Sequence, residues 1–102
     1  MIIVTGSAVS TPDTHDALVA LCTAHSARSR GEPGCIDHRV HTDCENPNKL
    51  VFVEYWTDMD ALKAHFQVPE AREFAVALIK MSAEPTKMRV YDANRVEVSL
   101  DL

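Results

Sequence analysis

Short apolar runs alternate along the chain with segments whose apolar residues have helical spacing. The runs IIVTGSAV (2–9), CIDHRVHT (35–42) and KLVFVEYW (49–56) predict three strands. The polar stretch DCENPN lies between the second and third runs, so we expect these two strands to pair as a hairpin. The run KMRVYDANRVEVSL (87–100) predicts a long final strand with a bend near its middle.

Three further segments predict helices. Thr11 and Thr57 are capping residues at the start of the first and second segments, and Pro69 suits the first turn of the third. Each segment then carries apolar or histidine side chains three and four positions apart, which places them on one helix face. These faces hold Leu18, Leu21, Cys22 and His25 in the first helix, Leu62, His65 and Phe66 in the second, and Phe74, Ala77, Leu78 and Met81 in the third.

The order of these elements is β-α-β-β-α-β, in which the two later helical segments together form the second helical unit. This order is that of the split ferredoxin-like α+β fold with an antiparallel sheet. Residues 1–102 contain no repeat, linker or low-complexity tract, so we expect a single domain. The segment after Tyr91 is longer than a four-stranded sheet needs, and it could add to the edge of a partner's sheet.

The third strand is apolar on both faces. Because side chains alternate across a strand, one face holds Leu50, Phe52, Glu54 and Trp56, and the other holds Val51, Val53 and Tyr55. The chain's own helices can cover only one face of the sheet. We therefore expect a second subunit to cover the other face, where Asp37, Arg39 and His41 of the second strand would be subunit contacts.

The hairpin brings titratable groups onto an apolar face. The register that keeps apolar residues together places His38 opposite Glu54 and Ile36 opposite Trp56. A carboxylate beside an imidazole holds its tautomer and raises its basicity, which suits proton abstraction. A structural cross-strand ion pair would explain the same pattern, so the sequence pattern leaves both interpretations open.

Further candidates for a ligand site lie on the helices and the third strand. His65, within ALKAHF, and His25 lie on apolar helix faces and could face the same cavity. The side chains that could line a pocket for a flat aromatic ligand are Phe52, Trp56, Phe66, Phe74 and Met81. Packing in the core is the alternative role for each of them. Trp56 is the best candidate for a ligand contact, because it ends a strand where a cleft would open.

Composition and charge exclude several classes of function. The net charge is −5 and the basic residues are scattered, unlike the basic stripe of a nucleic-acid-binding protein, and nothing suggests an anionic membrane surface as partner. No apolar run approaches about 18 residues and MIIVTG is too short for a signal peptide, so we expect a soluble, cytoplasmic protein. The three cysteines form no CxxC, and HxH and HExxH are absent, which argues against a metal site.

The chain resembles a known family through the segments EPGCIDHRVH and KLVFVEYWTDMDALKAHF. They are similar to the antibiotic biosynthesis monooxygenase family of dimeric α+β barrels, which includes quinol-monooxygenase-like members, and the resemblance extends over about residues 2–91. It implies a homodimer with a pocket in each subunit between the sheet and the helices. It also implies oxidation by O₂ without flavin, haem or metal, in which a deprotonated phenol or hydroquinone reacts directly with O₂.

The resemblance also suggests roles for individual residues. His65 matches a histidine of the family's ALxAH segment, Trp56 matches the aromatic residue that ends the third strand, and Glu54 matches a frequent glutamate. His38 falls where many members have tyrosine. Glu70 falls where members often have a second histidine, which weighs against a mechanism that needs both histidines.

These observations lead to the hypothesis of a cofactor-independent monooxygenase that oxidises a quinol or polycyclic phenol. His65 or His38 would be the base and Glu54 would orient it. Substrate contacts would come from Trp56, Phe52, Phe66, Phe74, His25 and Met81, with Arg72 or Asn94 as a donor. We expect residues 93–102 to form an arm exchanged with the partner subunit. The alternatives are a non-oxidative isomerase or cyclase on the same scaffold and a non-catalytic ligand-binding or stress-response module.

Overall fold

A computed structural model describes all 102 residues of the chain. The strands are β1 (Ile2–Val9), β2 (Cys35–Asp43), β3 (Asn46–Trp56) and β4 (Lys87–Asp92), and the helices are α1 (His15–Ser29), α2 (Met59–Gln67) and α3 (Pro69–Met81). The strands form one antiparallel sheet in the order β2-β3-β1-β4. The predicted α+β ferredoxin-like fold is confirmed, with its second helical unit divided between α2 and α3.

The starts of two helices differ from the sequence-based prediction. Thr11 does not cap α1, because its hydroxyl and that of Thr14 close a separate turn by accepting each other's backbone N–H at 3.1 and 2.9 Å. Asp58, and not Thr57, caps α2 by accepting a backbone N–H at 2.8 Å. Pro69 occupies the first turn of α3 as predicted. None of the helices is long and apolar enough to cross a bilayer.

The hairpin of β2 and β3 is tighter than the predicted polar loop. Asp43 pairs with Asn46, so the turn itself contains only Cys44 and Glu45. The Asp43 carboxylate accepts the backbone N–H of Glu45 at 2.8 Å, a local bond typical of aspartate in turns. Strand pairing therefore includes Asp43 and Asn46, which were predicted to lie in the polar loop DCENPN.

The register of this hairpin is as predicted at its centre but not at its start. His38 lies opposite Glu54, which confirms that prediction. The prediction that Ile36 lies opposite Trp56 is wrong, because a β-bulge at the start of β2 places Cys35 opposite Trp56 instead. A bulge adds one residue to one strand and so reverses the side-chain alternation beyond it. Ile36 is consequently 55% exposed.

The helices cover one face of the sheet, and the core lies between the two layers. Two groups of buried apolar side chains form this core. The first consists of Ile2, Val4, Trp56 and Leu62, and the second of Leu18, Cys22, Leu50 and Phe52. Alternate residues of β1 and β3 therefore point into the core, in agreement with the predicted faces of the third strand.

The final strand is shorter than predicted. It ends at Asp92, opposite Ile2 at the start of β1, so β1 offers no further residue for the final strand to pair with. The backbone N–H of Ala93 donates to the carbonyl of Met1 at 2.9 Å, and residues 94–102 then continue without regular structure. The predicted strand over 87–100 is therefore wrong beyond Asp92. The apolar side chains of the last segment are exposed.

Candidate active site

A cavity of about 280 Å³ lies between the sheet and helices α2 and α3. Most of its wall is aromatic or aliphatic, one side is polar and buried, and its rim carries cationic side chains. The apolar wall includes Phe52, Phe66, Phe74, Leu78 and Ile79. The polar side consists of His25, Glu54 and His65, and the rim carries Arg72 and Lys87. An apolar slot with a few convergent polar groups is the usual form of a small-molecule site.

Six of the nine predicted catalytic and ring-contacting residues line this cavity, namely His25, Phe52, Glu54, His65, Phe66 and Phe74, as does Arg72, one of the two predicted donors. Three others do not. His38 is fully buried and does not reach the cavity surface. Trp56 is fully buried in the first core group, and Met81 packs against the second. The pattern of apolar positions could not separate these locations, because core and cavity side chains lie on the same faces of the same elements.

His65 forms a dyad with a carboxylate that the sequence did not indicate. The residue is 4% exposed, and its Nδ1 lies 2.9 and 3.1 Å from the two carboxylate oxygens of Glu32. An ionised carboxylate accepts hydrogen bonds only, so Nδ1 carries a proton, and in the neutral ring Nε2 has the lone pair. Sequence reasoning assigned this orienting role to Glu54. Glu32 was missed because it lies in a turn 33 residues from His65, with no periodic relation to it.

The turn that contains Glu32 is held against α2 by the glycine that follows it. Gly34 adopts φ +79°, a conformation that favours glycine. A Cβ at this position would lie 2.5 Å from the Cβ of Ala61 in α2. The Gly34 carbonyl also accepts the backbone N–H of Thr57 at 2.9 Å. Close approach of the turn to α2 therefore brings Glu32 within reach of His65.

Arg28 connects the dyad to a second histidine. Its guanidinium donates to Glu32 Oε2 at 2.9 Å and to His25 Nδ1 at 3.0 Å. Because arginine only donates, His25 carries its proton on Nε2. The His25 ring stacks on Phe74, with centroids 3.7 Å apart and planes 3° apart. Burial, together with the charges of His38, His65 and Arg28, lowers the pKa of His25 from 6.5 to about 3.

His38 and Glu54 are adjacent but do not form the expected hydrogen bond. His38 Nε2 lies 3.3 Å from Glu54 Oε1, yet the atoms are poorly aligned and Nε2 has no hydrogen-bond partner. Its Nδ1 lies 2.8 Å from the hydroxyl of Ser26. Glu54 Oε1 instead accepts the indole N–H of Trp56 at 3.0 Å. Glu54 therefore joins the core to the cavity wall, and it orients Trp56 rather than a histidine.

Three imidazole rings converge at the polar side of the cavity although they come from α1, β2 and α2. The ring centroids lie 5.1 Å apart for His25 and His38, 5.4 Å for His25 and His65, and 5.8 Å for His38 and His65. One ligand nitrogen from each residue lies within 4.8 Å of the others. These residues could hold a metal ion, although their spacing in the sequence matches no metal-binding motif.

The low pKa of His25 predicts loss of stability in acid. Between pH 6.5 and about 3 the unfolded chain protonates this residue and the folded chain does not. The free energy of unfolding therefore falls as the pH falls through this range, by about 1.4 kcal/mol per pH unit from this residue. Urea unfolding at several pH values would measure the slope. His25→Gln should have a correspondingly shallower slope, and equal slopes for the two proteins would contradict the prediction.

Comparison with known proteins identifies relatives of the chain. The sequence model described as antibiotic biosynthesis monooxygenase matches residues 1–77. An uncharacterized protein of Synechocystis sp. is 33% identical over 90 residues, which are 88% of this chain and 61% of that protein, so the chain spans about three fifths of this relative's length.

Solved structures agree with the observed fold. A Deinococcus radiodurans protein that carries the same family description is 22% identical with a TM-score of 0.92, covering 99% of this chain and 100% of that one. A conserved Methanosarcina mazei protein is 26% identical with a TM-score of 0.86, covering 91% of this chain and 92% of that one.

Proposed function

Because the chain belongs to the antibiotic biosynthesis monooxygenase family, we propose that it oxidises a quinol or polycyclic phenol with O₂ and without a cofactor. The observation that carries this proposal is the Glu32–His65 dyad, which lies at the buried polar side of an apolar cavity. Such a cavity combines a base with a slot for an aromatic ring. The volume of about 280 Å³ is near the lower end of the range for ligand pockets and favours a compact ring system.

In the proposed reaction, Nε2 of His65 removes the phenolic proton and Glu32 stabilises the resulting imidazolium. The phenolate transfers one electron to O₂, and the resulting phenoxyl radical and superoxide combine at a ring carbon that bears hydrogen. The His65 imidazolium then returns its proton to the peroxide, which gives a hydroperoxide. Loss of water from the resulting hydroperoxide leaves a quinone, so one oxygen atom enters the product and the other enters water. The substrate supplies all the electrons, as in the oxidation of an anthrone to an anthraquinone.

The remaining wall residues position the substrate. Phe52 and Phe74 present aromatic faces and edges to a ring in the cavity. Arg72 lies at the rim, where the one hydrogen bond of its side chain is a long one of 3.4 Å to exposed Gln67, so the guanidinium can reorient toward an oxyanion. Asn94, the other donor considered from the sequence, is exposed and lies outside the cavity wall.

Oxygen uptake by chelator-treated protein, with a panel of hydroquinones and anthrones, tests the proposed function. With ¹⁸O₂ we expect one labelled oxygen atom in each molecule of product. Absence of turnover for the whole panel, with or without added metal, would contradict an oxygenase function.

A non-oxidative isomerase or cyclase is a second candidate, because the His65–Glu32 dyad supplies a base and does not itself require O₂. Product formation from a small carbonyl compound under anaerobic conditions would favour this candidate. A non-catalytic ligand-binding module would instead show ligand-induced stabilisation without product, and it would tolerate His65→Ala.

We also propose that the chain forms a homodimer through the sheet face that its helices leave uncovered. Ile3 of β1 lies opposite Tyr55 of β3 and Tyr91 of β4 on this face, and Val53 and Val51 continue it. The segment after β4 carries exposed Val96, Val98, Leu100 and Leu102 at every second position, the alternation of a strand with one apolar side. A partner's sheet edge would bury these residues and satisfy the segment's free backbone groups.

Deletion of residues 93–102 is expected to shift the protein from dimer toward monomer, because the deletion removes the exchanged apolar segment. Sedimentation velocity over a range of protein concentrations measures this change. Glu97→Gln, which changes only an exposed polar side chain between the apolar positions, is the matched control and should remain dimeric. A full-length chain that is monomeric at every concentration would contradict the proposal.

A further inference from the structure

The three converging histidines are the most unusual feature of the protein interior. His25, His38 and His65 are 7%, 0% and 4% exposed, and their ligand nitrogens lie within 4.8 Å of one another. A buried group of three histidines is uncommon in a core, because each ring nitrogen needs a partner and protonation of one ring disfavours protonation of the next. The proposed oxidation uses only one of the three rings.

An independent observation at the same place concerns His38. Its Nε2 is completely buried and has no hydrogen-bond partner. A buried polar atom in this state destabilises a protein, because its lost contact with water is not replaced, so native structures retain few of them. Glu54 Oε1 lies 3.3 Å away but is engaged by the indole of Trp56. The lone pair of a neutral imidazole is the commonest protein ligand for transition metals.

The surroundings of two histidines also suit metal binding. The Glu32 carboxylate accepts from Nδ1 of His65, and the Ser26 hydroxyl lies 2.8 Å from Nδ1 of His38. When Nδ1 carries the proton, bonds of this kind fix the ring orientation and leave the lone pair of Nε2 available, as the outer partners of metal-bound histidines usually do. Because these bonds hold Nδ1 in place, neither the His38 ring nor the His65 ring can turn to bring Nε2 to another partner.

We propose that His25, His38 and His65 bind one divalent transition-metal ion, with Glu54 as an adjacent carboxylate. Imidazole ligands suit Zn²⁺, Cu²⁺ and Ni²⁺, whereas Mg²⁺ and Ca²⁺ require oxygen ligands. In a tetrahedral site the ligand nitrogens are about 3.3 Å apart. The two nitrogens that are farthest apart must therefore approach each other by roughly 1 Å or more when the ion binds.

The third ligand has to change its hydrogen bonding when the ion binds. Arg28 donates to Nδ1 of His25, which places the proton on Nε2. If His25 binds the ion through Nε2, this proton moves to Nδ1 and the guanidinium must leave. Arg28 is 30% exposed in its side chain and can turn toward solvent. Arg28 therefore opposes metal binding, and its removal should increase the affinity.

Metal binding also has a consequence that rests on the proposed function. An ion bound to Nε2 of His65 occupies the lone pair that removes the substrate proton. The ion is thus an inhibitor of the proposed oxidation and competes with substrate. Binding itself does not depend on any catalytic activity, so the two statements can be tested separately.

Isothermal titration calorimetry with Zn²⁺ tests the binding. The full-length chain is first dialysed against a chelator and then against buffer. A Cys44→Ser background removes the exposed thiol as a competing ligand. We expect one ion per chain, and we expect His38→Gln and His25→Gln each to weaken binding by more than about tenfold. His41→Gln is the matched control, because His41 lies on the same strand as His38 but faces away from the core. Arg28→Met should bind more tightly than the unchanged chain.

Circular dichroism of each variant shows whether the fold is retained, and Arg28→Met tests the proposal even where a core histidine variant does not fold. Absence of saturable Zn²⁺ binding would overturn the proposal, as would weakening by His41→Gln equal to that by His38→Gln. If Zn²⁺ binds but the chain oxidises no quinol, the metal site stands and the proposed function fails. If the chain oxidises a quinol but does not bind Zn²⁺, the proposed function stands and the metal site fails.

Discussion

Replacement of His65 by glutamine is expected to lower the rate of quinol-dependent oxygen uptake by about 10²–10⁴-fold, the usual contribution of a general base. Glutamine has a similar size and can still donate a hydrogen bond to Glu32, but it cannot accept the substrate proton. The expected loss is therefore in kcat, with little change in KM. Oxygen-electrode assays at saturating quinol would measure it.

Two further variants separate a catalytic role from a structural one. Glu32→Gln retains a hydrogen-bonding group beside Nδ1 of His65 but removes the charge that stabilises the imidazolium, so an intermediate loss of kcat is expected. His41→Gln changes a histidine remote from the cavity and should retain the full rate. A His65→Gln protein that turns over at the wild-type rate would eliminate His65 as the base.

Replacement of Trp56 by alanine is expected to reduce the free energy of unfolding by about 3–5 kcal/mol, as typically found for large aromatic side chains in cores. Trp56 is fully buried against Ile2, Val4 and Leu62, and its indole N–H donates to Glu54. Since small domains are stable by only about 5–15 kcal/mol, this one substitution threatens the fold. Urea unfolding monitored by circular dichroism would measure the change.

The same substitution distinguishes the two roles considered for Trp56 from the sequence. If this residue only held the substrate ring, Trp56→Ala would unfold at the wild-type urea concentration and would raise KM. Phe66→Ala provides the comparison, because Phe66 lines the cavity and is 39% exposed. For a side chain that is already partly in solvent we expect a loss of stability well below that of Trp56→Ala.

The elements and much of the hairpin register follow from local sequence patterns. The period-two alternation in the third strand and the helical spacing in the three helical segments are properties of neighbouring residues, and each pattern identifies which side of an element faces the core. The pairing of His38 with Glu54 was predictable for the same reason, because a shift of one residue would expose the apolar face.

Only the tertiary structure decided which side chains meet across the layers. Glu32 reaches His65 because a glycine turn packs against α2, and the three histidines converge because packing brings together residues of α1, β2 and α2. A periodic pattern states that Trp56 and Phe52 share a face, but not that Trp56 is enclosed by Leu62 while Phe52 borders a cavity. That difference depends on how far each helix stands from the sheet, which is set by packing between residues distant in the chain.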